Sequence, residues 1–155
     1  MNGEMILVPL TEELLPRVLE LEELCFSLPW SRAVFLPELN DPSCCWLAAM
    51  TEGVLAGYAG MRTVLDEGYI SNIAVDPALR KRGIGAALVE ALIREGERRQ
   101  LSFLTLEVRV GNAEARRLYA RMGFRDAGLR PGYYEKPRED ALLMTRYYQE
   151  EGQAE

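Results

Sequence analysis

Arg80, Lys81 and Arg82 stand together in an otherwise acidic chain and are followed at once by Gly83 and Gly85. They fall where the apolar run Tyr69 to Val75 gives way to Ile84, Ala87, Leu88, Ala91 and Leu92, a spacing that predicts an amphipathic helix. A strand, a basic glycine-bearing loop and a helix start make an anion site. Amides at a helix start lack intrahelical partners, the helix dipole favours negative charge there, and glycine lets the backbone approach a phosphate closely. The P-loop pattern is absent, because no Gly-Lys-Ser/Thr follows four spacers. The dinucleotide fingerprint fails at Leu88, where a third glycine or alanine belongs, although Glu107 lies at about the distance of a ribose-binding acid. Three antiparallel-looking strands before the loop also speak against a dinucleotide domain.

No histidine occurs among the 155 residues. Ser-His-Asp and Cys-His catalysis are thereby excluded, along with nearly every zinc site, and no metal is expected. A general base must be a carboxylate, a tyrosine or a shifted lysine. Three cysteines, Cys25, Cys44 and Cys45, form no CxxC pair and make a poor disulfide framework, so they read as small apolar residues in a reducing compartment.

The elements that must position these groups follow from pattern. Met5 to Leu10 reads as a strand. Thr11 caps a helix with Leu14, Val18, Leu21 and Leu24/Cys25 on its apolar stripe, and Pro16 is tolerable only near its start. Leu28-Pro29-Trp30 breaks it, and Ser31 caps a second helix to about Leu39. Strands are predicted at Cys44 to Met50, Val54 to Thr63 and Tyr69 to Val75, the last a central one. They are joined by Thr51-Glu52-Gly53 and Asp66-Glu67-Gly68. Ser102 to Val110 alternates, with Leu104, Leu106, Val108 and Val110 on one face and Phe103, Thr105, Glu107 and Arg109 on the other. Asn112 caps a helix that Gly123 stops. Strands at about Phe124 to Leu129 and Ala141 to Tyr147 flank a Pro/Gly/Tyr loop. The order βααβββαβαββ is that of an α/β sandwich with a mixed sheet. A single domain spanning 1–155 is expected, ordered over about 5–148, with an acidic, frayed tail at 149–155.

Composition is that of a globular protein, 48% hydrophobic and 27% charged. A net charge of -6 and a pI near 4.9 argue against a nucleic-acid binder and favour a basic partner. Met1-Asn2-Gly3-Glu4 has no basic region before an apolar core, and no apolar run approaches the roughly 20 residues of a membrane helix. The expectation is a cytoplasmic protein with no membrane partner. Its oligomeric state is open, and a monomer is compatible with it.

Arg80-x-x-Gly83-x-Gly85 instead resembles the pyrophosphate loop of acyl-CoA-dependent N-acetyltransferases. From Met5 to about Tyr147 the sequence resembles the GNAT superfamily of N-acetyltransferases. Four segments are similar to its bacterial ribosomal-protein alanine N-acetyltransferase (RimI-type) group. They are Leu28-Pro29-Trp30-Ser31, Asn72-Ile73-Ala74-Val75, the run from Leu106 to Ala115 with Leu118-Tyr119, and Gly132-Tyr133-Tyr134 with Glu139-Asp140-Ala141.

The resemblance implies a GNAT-type three-layer sandwich, a mixed central sheet with helices on both faces. It implies acetyl-CoA as cosubstrate. Ile73, Ala74 and Val75 would pair with the pantetheine arm, Arg80, Lys81, Arg82, Gly83, Ile84, Gly85 and Ala86 would hold the pyrophosphate, and Asn112 and Tyr119 would contact the cofactor. Helix capping alone also accounts for Asn112. Glu107 would be the general base, and Tyr119, two turns after Asn112, the acid that protonates the departing thiolate. Leu28, Trp30, Tyr133 and Tyr134 would wall the acceptor groove. An α-amine is largely protonated at neutral pH, so a base is needed.

The function implied is direct acetyl transfer, in a ternary complex, to the N-terminal alanine of a basic small-subunit ribosomal protein. Two alternatives stay open. One is the same chemistry on other protein N-termini, lysine or a small amine; the other is a non-catalytic acyl-CoA-binding module, which would need neither Glu107 nor Tyr119.

Overall fold

The computed structural model describes residues 4–148. Its elements run β1 (Met5–Pro9), α1 (Leu15–Cys25), α2 (Arg32–Leu39), β2 (Cys44–Thr51), β3 (Val54–Val64), β4 (Glu67–Val75), α3 (Ile84–Arg98), β5 (Phe103–Arg109), α4 (Ala113–Arg121), β6 (Arg125–Tyr134) and β7 (Glu139–Tyr147). Short 3-10 turns at Glu12–Leu14 and Pro77–Leu79 precede α1 and α3. This is the expected order, βααβββαβαββ, in a mixed seven-stranded sheet ordered β1-β2-β3-β4-β5-β7-β6, with β4 in the middle. The tail expected at 149–155 lies outside the described residues.

The chain divides into two compact units. The described part of the first comprises residues 4–62 and Ser71–Leu92. In it β2 pairs antiparallel with β1 (Met5↔Thr51, Pro9↔Leu47) and with β3 (Cys44↔Arg62, Thr51↔Val54). Leu15, Val18 and Leu21 of α1, Phe35 of α2, Trp46 and Ala48 of β2, and Leu55 and Tyr58 of β3 fill its core. Each such large side chain, fully buried, contributes roughly 1.5–3 kcal/mol. Phe35 packs edge-on against Trp46 at 5.3 Å, and Gly60 lies so close under Trp46 that a Cβ there would meet the indole at 2.1 Å.

The described part of the second unit comprises Thr63–Ile70 and residues 93–148. The first half of β4 runs parallel to β5 (Tyr69↔Thr105), while β7 runs antiparallel to both β5 (Glu107↔Leu143) and β6 (Arg130↔Ala141). The alternation expected in β5 is observed: Leu104, Leu106 and Val108 are buried and their neighbours are half-exposed. Asn112 caps α4 by accepting from the Ala115 amide at 3.1 Å, and Gly123 follows the helix at φ +95°.

Several local expectations are corrected. The β2–β3 turn is the two-residue pair Glu52-Gly53, both left-handed, as a tight hairpin matched to strand twist requires. Leu65-Asp66 turns the chain into β4, so Glu67 and Gly68 belong to the strand. Thr11 and Ser31 stand at the cap positions, but neither side chain accepts a capping bond. The buried stripe of α1 carries Leu15 and Glu22, whereas Leu24 faces solvent. Gly132-Tyr133-Tyr134 is not a loop but the end of β6. An edge strand tolerates Pro131, and the register shift between Arg130 and Tyr134 absorbs the left-handed Gly132.

Candidate active site

In the first unit, Ile73, Ala74 and Val75 end β4, and Asp76 turns the chain by accepting from the Ala78 amide at 2.9 Å. Arg17 of α1 pairs with Asp76 and donates to the Leu55 carbonyl at 3.3 Å, fixing that turn against β3. Gly57 lets β3 approach closely, for a Cβ there would meet the Ala74 carbonyl oxygen at 2.8 Å and the Ile84 side chain at 3.2 Å. The exposed loop Arg80-Lys81-Arg82-Gly83 follows, with Lys81 at φ +65° and Gly83 at φ +81°. No heavy atom lies within 4 Å of a Cβ built on Gly83. The first α-type bond of α3 runs from Ala87 to the Gly83 carbonyl at 3.0 Å, so the amides of Ile84, Gly85 and Ala86 precede it. Three cationic side chains, an open left-handed glycine and a helix N-terminus fit an anionic pyrophosphate.

The same unit places Trp30. Its ring packs against Phe35 at 5.1 Å and Trp46 at 5.7 Å, and its amide donates to Glu22 Oε1 at 2.7 Å. Leu28, two residues earlier, is 55% exposed. Cys25 Sγ donates to the Val75 carbonyl at 3.6 Å with Arg80 Nη2 4.0 Å away, so α1 reaches both the end of β4 and the basic loop. Burial pushes the Cys25 thiol up, against the nearby Arg80 charge. None of the three cysteines is in a disulfide.

The second unit holds the candidate acid and base. Glu107 lies on the polar side of β5, yet its side chain is only 5% exposed. One carboxylate oxygen accepts the Tyr69 phenol, and the other pairs with Arg130 Nε at 2.8 Å. Tyr69 faces Glu107 because it pairs with Thr105, two residues away on the same side of β5. Desolvation first, then the bond to Glu107, pushes the Tyr69 phenol well above its ordinary range.

Tyr133 and Tyr134 meet edge to face at 5.1 Å. Arg130 lies 5.8 Å over the Tyr133 ring and Arg109 4.4 Å over Tyr134. Arg109 also donates to the Pro137 carbonyl at 2.9 Å, the Glu135 carbonyl at 3.1 Å and Glu139 at 3.2 Å, which pins the β6–β7 turn. Burial raises Tyr134 to about 12. Tyr119 is buried on α4 against Phe124 at 5.9 Å, and desolvation, with a smaller contribution from Tyr134, holds its phenol above the usual range.

Glu107, Tyr133 and Tyr134 are thus gathered within one unit, and Trp30 and the Ile73–Val75 strand end within the other. Tyr69, Arg130, Arg109 and Glu22 were not expected at a site. Arg109 shares the polar face of β5 with Glu107, a signal available in the alternation. Tyr69 and Arg130 reach Glu107 only through strand pairing, which no local pattern encodes. Among the described residues no cluster of three or more His, Cys, Asp or Glu could hold a metal ion, and no helix is long and apolar enough to cross a membrane.

The model of the acetyltransferase (GNAT) family matches residues 15–124. The chain is 39% identical over 133 residues to the ribosomal protein bS18-alanine N-acetyltransferase of Escherichia coli strain K12, covering 84% of this chain and 89% of that protein. It is 34% identical to the protein of the same name from Haemophilus ducreyi, over 84% of this chain and 92% of the other. The crystal structure of the ribosomal-protein-S18-alanine N-acetyltransferase from Escherichia coli superposes with a TM-score of 0.88 at 34% identity, covering 98% and 99% of the two chains. The chain belongs to the acetyltransferase (GNAT) family.

Proposed function

We propose that this protein transfers the acetyl group of acetyl-CoA to the α-amine of the N-terminal alanine of ribosomal protein bS18, in the cytoplasm, with the whole chain acting as one acetyltransferase domain. The observation that carries the reading is Glu107, a nearly buried carboxylate held between a phenol and a guanidinium in a chain without histidine. Kinship with enzymes named for that acceptor narrows the substrate.

In the proposed reaction Arg80 to Ala86, with Asn112, hold the cofactor, and the backbone of Ile73 to Val75 aligns the thioester. Leu28, Trp30, Tyr133 and Tyr134 receive the peptide. Glu107 takes a proton from the α-ammonium. The freed amine attacks the thioester carbonyl carbon and a C–N bond forms; as the C–S bond breaks, Tyr119 gives its proton to the departing thiolate, and the nitrogen sheds its second proton to water, which in turn reprotonates Tyr119. The Tyr119 phenol carries its proton at neutral pH even without the upward push that burial adds. No cysteine is acylated on this route, and the net negative charge of the chain suits a basic acceptor.

The test is thiol release from acetyl-CoA with two basic, lysine-containing peptides that begin with alanine, one of them blocked at its N-terminus. Activity on the free N-terminus alone is expected. Equal activity on both would move the acceptor to lysine, and silence on both would overturn the protein-acceptor reading. Glu107→Gln should keep CoA binding and lose about 10²–10⁴-fold in kcat.

A further inference from the structure

Glu22 takes no part in the transfer just described, yet it is 1% exposed in the core of the first unit. A carboxylate in such a place is costly unless its lone pairs are met. Three donors meet them, each from a different segment. The Trp30 amide donates to Oε1 at 2.7 Å, and the Tyr58 hydroxyl of β3 and Asn72 Nδ2 of β4 donate to Oε2 at 2.5 and 2.8 Å. Trp30 belongs to the proposed acceptor wall, and Asn72 immediately precedes the thioester strand Ile73 to Val75. The bond to Trp30 is to the main chain, so it fixes the backbone after α1 and not merely an indole already packed by Phe35 and Trp46.

We propose that Glu22 is a positioning residue for acetyl transfer, tying the backbone of Trp30 to Asn72 so that the acceptor wall and the thioester strand keep one register. Its kinetic consequences rest on the acetyl-transfer reading; its effect on Trp30 does not. Glutamine can replace it in part. The amide oxygen still serves the Trp30 N–H, which cannot reverse, while the NH2 turns toward Tyr58 and Asn72, which can both become acceptors. Methionine, of similar size, serves none of the three.

The experiment compares Glu22→Met, Glu22→Gln and Asn72→Ala by hydrogen exchange of the Trp30 amide, with the amides of Leu88 and Val89 as references. It adds direct CoA binding and acceptor kinetics. In Glu22→Met, Trp30 protection should vanish while that of α3 persists, and acceptor KM should rise about tenfold, with CoA affinity changed less than about twofold. Glu22→Gln should restore both, and Asn72→Ala should fall between. Unchanged Trp30 protection in Glu22→Met, parallel loss of CoA and acceptor binding, or a glutamine variant as impaired as methionine would each overturn the proposal. A wild-type protein that transfers no acetyl group would overturn the acetyl-transfer reading and with it the kinetic role of Glu22. Should Glu22→Met fail to fold, Asn72→Ala combined with Tyr58→Phe removes two of the three donors around an intact Glu22 and decides by the same readouts.

Discussion

Glu107 and Arg130 form an ion pair at 2.8 Å in which the acid is 5% exposed and the guanidinium carrier 54%. The carboxylate is fixed, since Tyr69 holds its other oxygen, whereas Arg130 sits on an edge strand with most of its length in water. An arriving α-ammonium carries the same charge as the guanidinium and can take its place. Arg130→Ala should therefore leave CoA binding unchanged and lower acceptor KM about 1.4- to fivefold, the worth of a partly exposed pair at ~0.2–1 kcal/mol. A higher KM would make Arg130 a binder of the acceptor.

Tyr119→Phe separates proton donation from packing. The ring keeps its place against Phe124, so the melting temperature should barely move, while kcat falls about 10²–10⁴-fold. Because burial holds the phenol above its ordinary range, the wild-type rate should show no alkaline fall from this group below about pH 10. A pH–rate profile of both proteins checks this.

Gly60→Ala tests the aromatic cluster of the first unit. The new methyl would lie 2.1 Å from the Trp46 ring, which Phe35 and Trp30 already confine. Overpacking of this kind costs about 1–3 kcal/mol, which a urea midpoint resolves.

The pH dependence of stability should carry the mark of Glu22. Desolvation raises its carboxyl above the ordinary 4.5, with the bonds from Tyr58, Trp30 and Asn72 opposing. The folded state then holds the proton more tightly than the unfolded chain. The resulting stabilisation is complete below the unfolded value and is lost as pH rises through the folded one. Urea unfolding from pH 4 upward should show the wild type losing ground to Glu22→Gln, and a constant or reversed difference would show that the three hydrogen bonds outweigh burial.

Much of the fold is local and was legible for that reason. Period-2 alternation placed Glu107 beside buried Leu106 and Val108, and Asn112 and Gly123 bound α4 as their chemistry dictates. The residue type of Glu22 predicts a solvated helix face, although its place four residues after Val18 and three before Cys25 puts it on the inward stripe. Tyr69 and Arg130 surround Glu107 through parallel and edge pairing, and such partners are set by tertiary register. Pro131 and Gly132 are turn residues and so predict a loop for Tyr133 and Tyr134; only an edge strand with a bulge accommodates them.

That irregular edge has a consequence for the protein in a crowded cell. A free strand border offers main-chain donors and acceptors to any other chain, which is how sheets polymerise. In β6 the Pro131 nitrogen has no hydrogen to offer, and the Gly132 amide is turned inward to Asp140 at 2.8 Å. The same residues that present two tyrosines thereby interrupt the template, so self-association through this border is discouraged where the peptide is proposed to bind.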